Sequence, residues 1–417
     1  MSFSQFPLHD SLQRAIAAAG FDTPTPIQTA AIPVALTGRD LLGTAQTGTG
    51  KTAAFALPIL HRLLTTPRTA RRTRALVLTP TRELADQVQA SIQQLAAQTR
   101  LRSATIYGGV GMAPQERALR SGTDILVACP GRLLDHAQRG AVNFSGIECL
   151  VLDEADRMLD MGFLPAIRRI LGLLPQERQT MLFSATFAPE LNRFVAQTLC
   201  DPERIAIGMS APAQTISHAL YPVSTALKTT LLTALLQEMH SDAVLIFTRT
   251  KHRADRVAAH LTRAGYATGV LHANRTQSQR QRALADFRAG TVPYLVATDI
   301  AARGIDVSGI SHVINFDIPD TADAYIHRIG RTGRALRLGE ALTLVTHEDY
   351  ATVQMIERAL GERLSTQHLA GFDYQQSVSG ADTMPESRRG GSTGGTRRVH
   401  PGLAYIASAA FQEVLRA

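Results

Sequence analysis

Short apolar segments alternate with helical patterns along this chain, and the alternation occurs twice. The first series of predicted strands covers residues 41–43, 75–79, 125–128, 150–152 and 181–183, with a helical pattern over 82–97. The second covers 244–247, 268–271, 294–297, 312–316 and 341–345, with helical patterns over 251–263 and 278–288. Apolar strands separated by helices are typical of a parallel sheet covered on both faces. The pattern therefore predicts an α/β protein with two mostly parallel sheets.

Two stretches without hydrophobic periodicity divide the chain. The polar stretch 208–214 separates the two series, as a linker does, and a stretch with Gly and Arg clusters follows the second. At 417 residues the chain is long enough for two domains. We predict a first domain over 1–207, a linker over 208–220, a second domain over 221–370 and a flexible tail over 371–417. The apolar end of the tail, 403–415, fits a docking helix and a plain chain end equally well.

The segment 45–52 has the composition of a phosphate-binding loop. It lies between an apolar strand and an apolar helix, although Ala45 stands where the strict pattern GxxxxGK[ST] has its first glycine. Glycines let backbone N–H groups surround phosphates, Lys51 reaches the outer phosphates and Thr52 can bind magnesium. A glycine-rich turn before an ordinary helix is the alternative. The predicted phosphate-binding residues are Ala45, Gln46, Thr47, Gly48, Thr49, Gly50, Lys51 and Thr52.

An acidic cluster follows the predicted strand 150–152. It reads Asp153-Glu154-Ala155-Asp156, and carboxylates at the end of a buried strand need a cation, a partner or a chemical purpose. On its own such a cluster is equally consistent with a solvated loop. Together with a phosphate loop it predicts Asp153 as the magnesium anchor, mostly through water, and Glu154 as the residue that orients or deprotonates an attacking water.

Charge and cysteine content narrow the class of protein further. The formal net charge of +8 suits a polyanionic partner, although a bias towards Arg also arises from genomic base composition. No apolar run approaches the roughly 20 residues of a membrane span, and the N-terminus lacks the pattern of a signal peptide. We expect a cytoplasmic protein without membrane contact, in which Cys129, Cys149 and Cys200 are reduced.

The order of these motifs, from Phe3 to about Leu369, resembles that of the DEAD-box RNA helicases of superfamily 2, and most closely the bacterial RhlE-type branch. The resemblance implies two tandem RecA-like domains with ATP and RNA bound at the interdomain cleft. It implies RNA-dependent ATP hydrolysis that drives local, non-processive unwinding or remodelling of RNA, with little sequence specificity. The implied cofactors are ATP and magnesium, and the implied state is a monomer with unidentified partners in ribosome assembly or RNA degradation.

In the first domain the resemblance assigns three groups of residues. The segment 20–28 resembles the adenine-recognition motif of the family, in which Gln28 reads the base and Phe3 and Phe21 pack near it. Cys129 stands where the family usually has Thr, which removes a hydroxyl from that motif. The implied RNA contacts are Pro80, Thr81, Arg82, Gly108, Gly109, Pro130, Gly131 and Arg132.

In the second domain the segment 327–334 places four cations or potential cations within eight residues, which repel unless an anion lies among them. The resemblance identifies Arg331 and Arg334 as arginine fingers, which are worth about 10³–10⁵ in rate in related nucleotide hydrolases, and places Asp306 near the ribose. The implied RNA contacts are Thr248, Arg249, Gln277, Arg280, Thr298, Arg303 and Gly304. The residues implied in coupling ATP to RNA are Asp156, Ser184, Thr186, His327 and Arg328.

Two other functions share most of these motifs. An ATP-dependent RNA clamp would bind without separating strands, and a helicase of the same superfamily could act on DNA. Only a strand-displacement assay beside an RNA-binding assay distinguishes the clamp. The adenine-recognition motif and the Asp-Glu-Ala-Asp sequence argue against the DNA-directed helicase, and stimulation of ATP hydrolysis by RNA or by DNA decides between them.

Overall fold

The computed structural model describes residues 2–45, 48–67, 72–186, 189–207, 216–239, 241, 243–302, 309–333 and 339–376. These residues form two compact units, one up to residue 207 and one from residue 216 onward. Among them, no helix has both the length and the apolar composition needed to cross a lipid bilayer.

The described part of the first unit is a parallel sheet of seven strands in the order β3-β4-β2-β5-β6-β1-β7. The strands are β1 Leu41–Thr44, β2 Ala75–Leu78, β3 Ser103–Ile106, β4 Ile125–Ala128, β5 Cys149–Leu152, β6 Gln179–Ser184 and β7 Glu203–Ala206. The helices are α1 Asp10–Ala18, α2 Pro26–Leu36, α3 Lys51–Thr65, α4 Arg82–Leu95, α5 Met112–Arg120, α6 Pro130–Gln138, α7 Ala155–Asp160, α8 Leu164–Leu171 and α9 Pro189–Thr198.

Alternate residues of each central strand enter different cores, so both faces of the first sheet are buried. Val77 and Val151 pack with α1 to α4 in one core, whereas Leu76 and Leu150 pack with α6, α8 and α9 in the other. All four side chains are 0% exposed, and full burial of such a side chain stabilises the fold by about 1.5–3 kcal/mol. This explains why the central strands are continuously apolar instead of alternating.

The described part of the second unit repeats this architecture, with parallel strands in the order β10-β11-β9-β12-β13-β8-β14. The strands are β8 Ile216–Pro222, β9 Val244–Phe247, β10 Thr268–Leu271, β11 Tyr294–Ala297, β12 His312–Asn315, β13 Gly339–Val345 and β14 Ser365–Thr366. The helices are α10 Lys228–Glu238, α11 Lys251–Arg263, α12 Gln277–Arg288, α13 Asp299–Ala302, α14 Ala322–Ile329 and α15 Tyr350–Leu360. The prediction of two parallel sheets covered by helices is confirmed.

Lys228 is a buried cation at the start of α10, the helix that follows the first strand of the second unit. Its side chain is 4% exposed, and its Nζ donates to Phe316 O and Leu344 O, each at 3.1 Å. Asp317 Oδ1 lies 3.9 Å from the same nitrogen. Burial lowers the pKa of Lys228, and Asp317 opposes that shift. The ammonium group therefore links the carboxyl ends of β12 and β13.

The predicted boundaries were wrong at two places in the second unit. Residues 216–220, assigned to the linker, belong to β8, because Ile216 and Leu220 point into the core of the unit. The predicted flexible tail also starts too early, since Phe372 and Tyr374 pack against the other core of the second unit and their rings meet edge to face at 4.8 Å. Residues 208–215 of the predicted linker and the tail from 377 lie outside the described residues.

His136 gives the first unit a predicted sensitivity to acid. Its ring is 0% exposed and neither ring nitrogen has a hydrogen-bond partner in the described residues. Burial, followed by the charge of Arg132, lowers its pKa from 6.5. The folded chain therefore binds this proton less readily than the unfolded chain, so stability is lost as the pH falls through 6.5 and is unaffected well above it.

We expect His136→Leu to weaken the acid sensitivity of the first unit. The loss of unfolding free energy between pH 7.5 and pH 5 is expected to shrink by about 1 kcal/mol. Urea unfolding followed by circular dichroism at the two pH values measures it, with the exposed His252→Leu as the control. An equal pH dependence in His136→Leu and the wild type contradicts the prediction.

Candidate active site and nucleic-acid interface

The described part of the phosphate loop joins β1 to α3 at the carboxyl end of the sheet. Gly48 and Gly50 have left-handed φ values of 82° and 90°, and Gly50 is the N-cap of α3. Lys51 is 6% exposed, and its Nζ donates to Ala45 O at 2.8 Å. This curved backbone before a helix N-terminus is the arrangement that binds phosphate. Gln46 and Thr47 lie outside the described residues.

Gln28 connects the predicted adenine-recognition motif to the phosphate loop. Its Nε2 donates to Gly50 O at 3.1 Å, and its Oε1 accepts from Thr25 N at 2.9 Å. A Cβ at position 50 would overlap the Gln28 amide, so this approach requires glycine. A side-chain amide has two N–H groups and two lone pairs on its oxygen. One N–H group and one oxygen lone pair of the Gln28 amide therefore remain for the edge of a base.

The two aromatic rings that the resemblance places near the base lie close to one another. The centroids of Phe3 and Phe21 are 6.2 Å apart. Phe3 is 3% exposed and belongs to the core, whereas Phe21 is 38% exposed. Of the two rings, Phe21 is therefore the one placed to meet a planar ligand.

Asp153 follows β5 directly and is buried. Burial raises the pKa of this carboxyl group to about 6, and the charge of Lys51 limits the increase. Its Oδ1 has no hydrogen-bond partner among the described residues. A buried carboxylate oxygen without a partner is costly unless a cation or a donor meets it.

Glu154 combines an unusual backbone with a buried ion pair. Its φ of 53° and ψ of 52° are left-handed, and it is the N-cap of the short helix α7. The side chain is 4% exposed, and Oε2 accepts a hydrogen bond from Arg157 NH1 at 2.7 Å. Arg157 was not among the predicted site residues. Only its position three residues after Glu154 could have indicated the pair.

Asp156 joins the acidic cluster to the predicted coupling motif at 184–186. Its Oδ2 accepts from Ala185 N and Thr186 N at 3.0 Å and from Thr186 Oγ1 at 3.1 Å. Ser184 Oγ donates to Thr186 O at 2.7 Å, which fixes the turn. Any displacement of the 184–186 turn must therefore move Asp156 or break these bonds.

The structure brings together three of the segments predicted to contact RNA in the first unit. The Arg82 guanidinium lies against Gly109, where a Cβ would overlap it, and close to Gly108. Arg132 NH1 donates to Val110 O at 2.9 Å. These cations lie beyond the carboxyl ends of β2, β3 and β4, where ligands bind in open parallel sheets.

Other residues of this predicted interface have local roles. Thr81 is the N-cap of α4, and its Oγ1 accepts from Leu84 N at 3.3 Å. Pro80 and Pro130 are buried, whereas Gly131 is exposed. Gly131 is therefore the member of this group whose backbone a phosphate can approach.

Cys129 is the N-cap of α6 but makes no side-chain capping bond. Burial raises the pKa of its thiol to about 12, so it remains protonated. We expect Cys129→Thr to raise the free energy of unfolding of the first unit by about 1 kcal/mol, because a hydroxyl caps a helix N-terminus better than a thiol. Urea unfolding tests this, with Cys129→Val as a control of the same shape. Equal stabilities of the Thr and Val variants would rule out capping as the cause.

In the second unit, Arg328 is buried and its guanidinium is used for internal contacts. Its Nε and NH2 pair with the two carboxylate oxygens of Asp299 at 2.6 and 2.7 Å. NH1 donates to Asn315 Oδ1 at 3.0 Å and to Asp317 O at 2.6 Å, and the Phe247 ring lies 5.0 Å from the guanidinium carbon. Arg328 therefore joins α14 to the ends of β9, β11 and β12.

The other predicted residues of the second unit differ in accessibility. Arg249 is half exposed and Arg280 and Thr298 are partly exposed, whereas Gln277 is 6% exposed. Thr248 is 0% exposed and its Oγ1 donates to Thr250 O, so an RNA contact by that hydroxyl requires a local rearrangement.

Of the two predicted arginine fingers, the structure describes Arg331, which is buried. Arg331 is 3% exposed, and its Nε donates to His327 O at 3.3 Å. The predicted residues of the second unit that lie outside the described part of the chain are Arg303, Gly304, Asp306 and Arg334.

Two family models match the chain, one over each unit. Residues 25–194 match the DEAD/DEAH box helicase model, and residues 227–336 match the helicase conserved C-terminal domain model. The first match includes the phosphate loop and the acidic cluster, and the second includes Arg328 and Arg331.

Curated relatives and a solved structure agree with these models. The chain is 44% identical over 375 residues to DEAD-box ATP-dependent RNA helicase 28 of Oryza sativa, covering 88% of this chain but 47% of the relative, about half of its length. It is 40% identical to DEAD-box ATP-dependent RNA helicase CshA of Bacillus subtilis, covering 87% and 73%. Saccharomyces cerevisiae Dbp5 bound to RNA and ADP BeF3 matches with a TM-score of 0.79 at 31% identity, covering 88% and 95%. The fold is therefore two tandem RecA-like domains, and the chain belongs to the family of DEAD-box ATP-dependent RNA helicases.

Proposed function

We propose that this chain hydrolyses ATP in an RNA-dependent reaction and uses it for local, non-processive unwinding or remodelling of RNA. One observation carries the proposal: the phosphate loop, the acidic cluster and the 184–186 turn lie together at the carboxyl ends of neighbouring strands of one sheet. The solved relative Dbp5, bound to RNA and ADP BeF3, supports both ligands. Little sequence preference is expected, because contacts to the sugar-phosphate backbone do not read bases.

Four residues of the first unit have defined roles in the proposed reaction. Lys51 binds the outer phosphates of ATP from the start of α3, and the remaining N–H and lone pair of the Gln28 amide read the adenine edge. Glu154 orients the attacking water and takes its proton. Asp156 transmits the state of this site to the 184–186 turn through the hydrogen bonds described above.

The residues at this site fit a magnesium ion. Asp153 presents a buried carboxylate oxygen without a partner in the described residues, and Thr52, a partly exposed residue at the start of α3, supplies a hydroxyl. Oxygen donors of this kind suit Mg²⁺, which usually keeps several of its waters. When bound, the ion would neutralise charge on the β- and γ-phosphates. Asp153 and Thr52 would hold it, mostly through water.

The proposed reaction needs both units. Glu154 and Lys51 belong to the first, whereas Arg331 and Arg334 belong to the second and would stabilise charge on the transferred phosphoryl group. Since both ligands use residues of both units, binding of RNA and binding of ATP should favour one another. Arg82 and Arg132 in the first unit and Arg249 and Arg280 in the second are at least partly exposed, and we expect these cations to hold the RNA backbone.

The test measures ATP hydrolysis by the full chain with no nucleic acid, with single-stranded RNA and with DNA of the same sequence, beside displacement of a short RNA duplex. Stimulation by RNA and ATP-dependent displacement are expected. Equal stimulation by DNA supports the alternative of a DNA-directed helicase, because contacts to the 2′-hydroxyl distinguish RNA from DNA. RNA binding without displacement supports the alternative of an ATP-dependent clamp.

Finer assignments complete the proposal. We assign the chain to the RhlE-type branch of the family on the basis of its compact core. The relatives described above are named as other members of the family. A cytoplasmic location is supported by Cys129, Cys149 and Cys200, which are free thiols. We also propose that the chain acts as a monomer.

A further inference from the structure

Arg157 is a buried cation beside the proposed active site that the mechanism above does not use. It is 2% exposed, and NH1 lies 2.7 Å from Glu154 Oε2. Its main-chain N–H donates to Asp156 Oδ1 at 2.9 Å. The two ends of Arg157 therefore contact two of the three carboxylates of the acidic cluster, those of Glu154 and Asp156.

Glu154 is fixed from two sides. Its left-handed backbone, with φ of 53°, is rare for a residue other than glycine and sets the direction in which the side chain leaves the main chain. The bond from Arg157 then fixes Oε2, within a helix of six residues. Because a carboxylate is planar, fixing one oxygen and the backbone leaves Oε1 with little freedom.

We propose that Arg157 is the positioning residue for the catalytic carboxylate in the ATP hydrolysis proposed above, on which this inference rests. Arg157 holds Oε2 so that Oε1 faces the attacking water. In the reaction, the water oxygen forms a bond to the γ-phosphorus, the bond from that phosphorus to the bridging oxygen of ADP breaks, and Glu154 takes the proton of the water. Arg157 touches neither substrate nor reacting atoms.

A purely structural ion pair is the competing explanation, and the two make different predictions. A structural pair changes stability and nucleotide binding, whereas a positioning residue changes the rate of turnover of the bound complex. Removal of Arg157 is expected to lower kcat by about 10²-fold, the size of effect that a small misplacement of a catalytic group produces. The KM for ATP and the affinity for RNA are expected to stay within about twofold, because Arg157 binds neither.

The experiment compares Arg157→Met with four other variants of the full chain, at a temperature well below the unfolding transition. Arg157→Lys keeps the positive charge and is expected to recover most of the lost kcat, although a lysine lacks the planar fork of arginine. Arg74→Met is the matched control, since Arg74 is 5% exposed and its Nε lies 2.5 Å from Glu148 Oε1. This pair lies at the amino-terminal ends of β2 and β5, away from the proposed active site at their carboxyl ends. Glu148 keeps Arg62 at 3.5 Å in that variant. Arg74→Met is expected to lower stability but not kcat.

The double variant Glu154→Gln with Arg157→Met separates the two explanations most directly. If Arg157 acts through Glu154, the double variant turns over no more slowly than Glu154→Gln alone. Additive losses, an unchanged kcat in Arg157→Met, or an equal loss in Arg74→Met overturns the positioning role. An absence of RNA-stimulated hydrolysis in the wild type would instead count against the proposed function.

Discussion

Replacing Glu154 with Gln is expected to leave ATP and RNA bound but to lower RNA-stimulated ATP turnover by about 10²–10⁴-fold, the usual contribution of a general base. The amide keeps the size of the carboxylate but takes no proton. The buried position of Glu154 beside Arg157 makes the charge the main property that the substitution changes. Steady-state hydrolysis and equilibrium binding of a non-hydrolysable ATP analogue, both with RNA present, measure the two effects.

Glu148→Gln is the control for this substitution. Glu148 is also paired with a buried arginine, Arg74, but this pair lies at the amino-terminal ends of the strands. Loss of the Glu148 charge should therefore leave turnover unchanged. Wild-type turnover in Glu154→Gln would remove Glu154 from the role of base. Loss of ATP binding would show instead that the Glu154 carboxylate contributes to the binding of ATP and not to the chemical step.

Replacing Arg328 with Met is expected to lower the free energy of unfolding of the second unit by roughly 3 kcal/mol. That is the lower end of the range for breaking a buried ion pair, because Asp299 stays about one third exposed. The substitution removes the bidentate pair with Asp299 and the bonds to Asn315 and Asp317. Chemical denaturation of the full chain, analysed as two transitions, measures the change.

Arg358→Met, on the exposed surface of α15, is the control and should change stability by less than about 0.5 kcal/mol. If Arg328→Met abolishes activity without changing stability, Arg328 contacts a ligand directly in the active complex. If activity and stability fall together, Arg328 contributes to coupling by holding α14 against the sheet.

The sequence predicted the central strands except β8, and it predicted one edge strand, β10, but not the edge strands β3, β7 and β14. Strands such as β5, which is buried on both faces, form continuous apolar runs. At the edges only part of the signal remains. In β7 the residues alternate between partly and fully exposed positions, and β14 has two exposed residues. Their assignment depends on the backbone of the neighbouring strand, which no local pattern contains.

The site was predictable where its residues are neighbours in sequence. The phosphate loop and the acidic cluster are local, so spacing and residue type located both. The bonds from Asp156 to Thr186 and from Arg328 to Asp299 join residues about 30 positions apart, and only the fold shows them. Arg328 and Arg331 are equivalent cations in the sequence. The structure separates them, because Arg328 is bound to internal acceptors on every nitrogen of its guanidinium.

Lys228 repeats in the second unit the position that Lys51 has in the first. If strands are numbered from one within each unit, the two sheets have the same order. Lys228 then stands where Lys51 stands, at the first residue of the helix after the first strand, and Asp317 follows the strand that corresponds to β5. The second unit therefore has this lysine without a glycine loop before it. Introducing such a loop alone should not create nucleotide binding, because two carbonyl oxygens already hold the ammonium group.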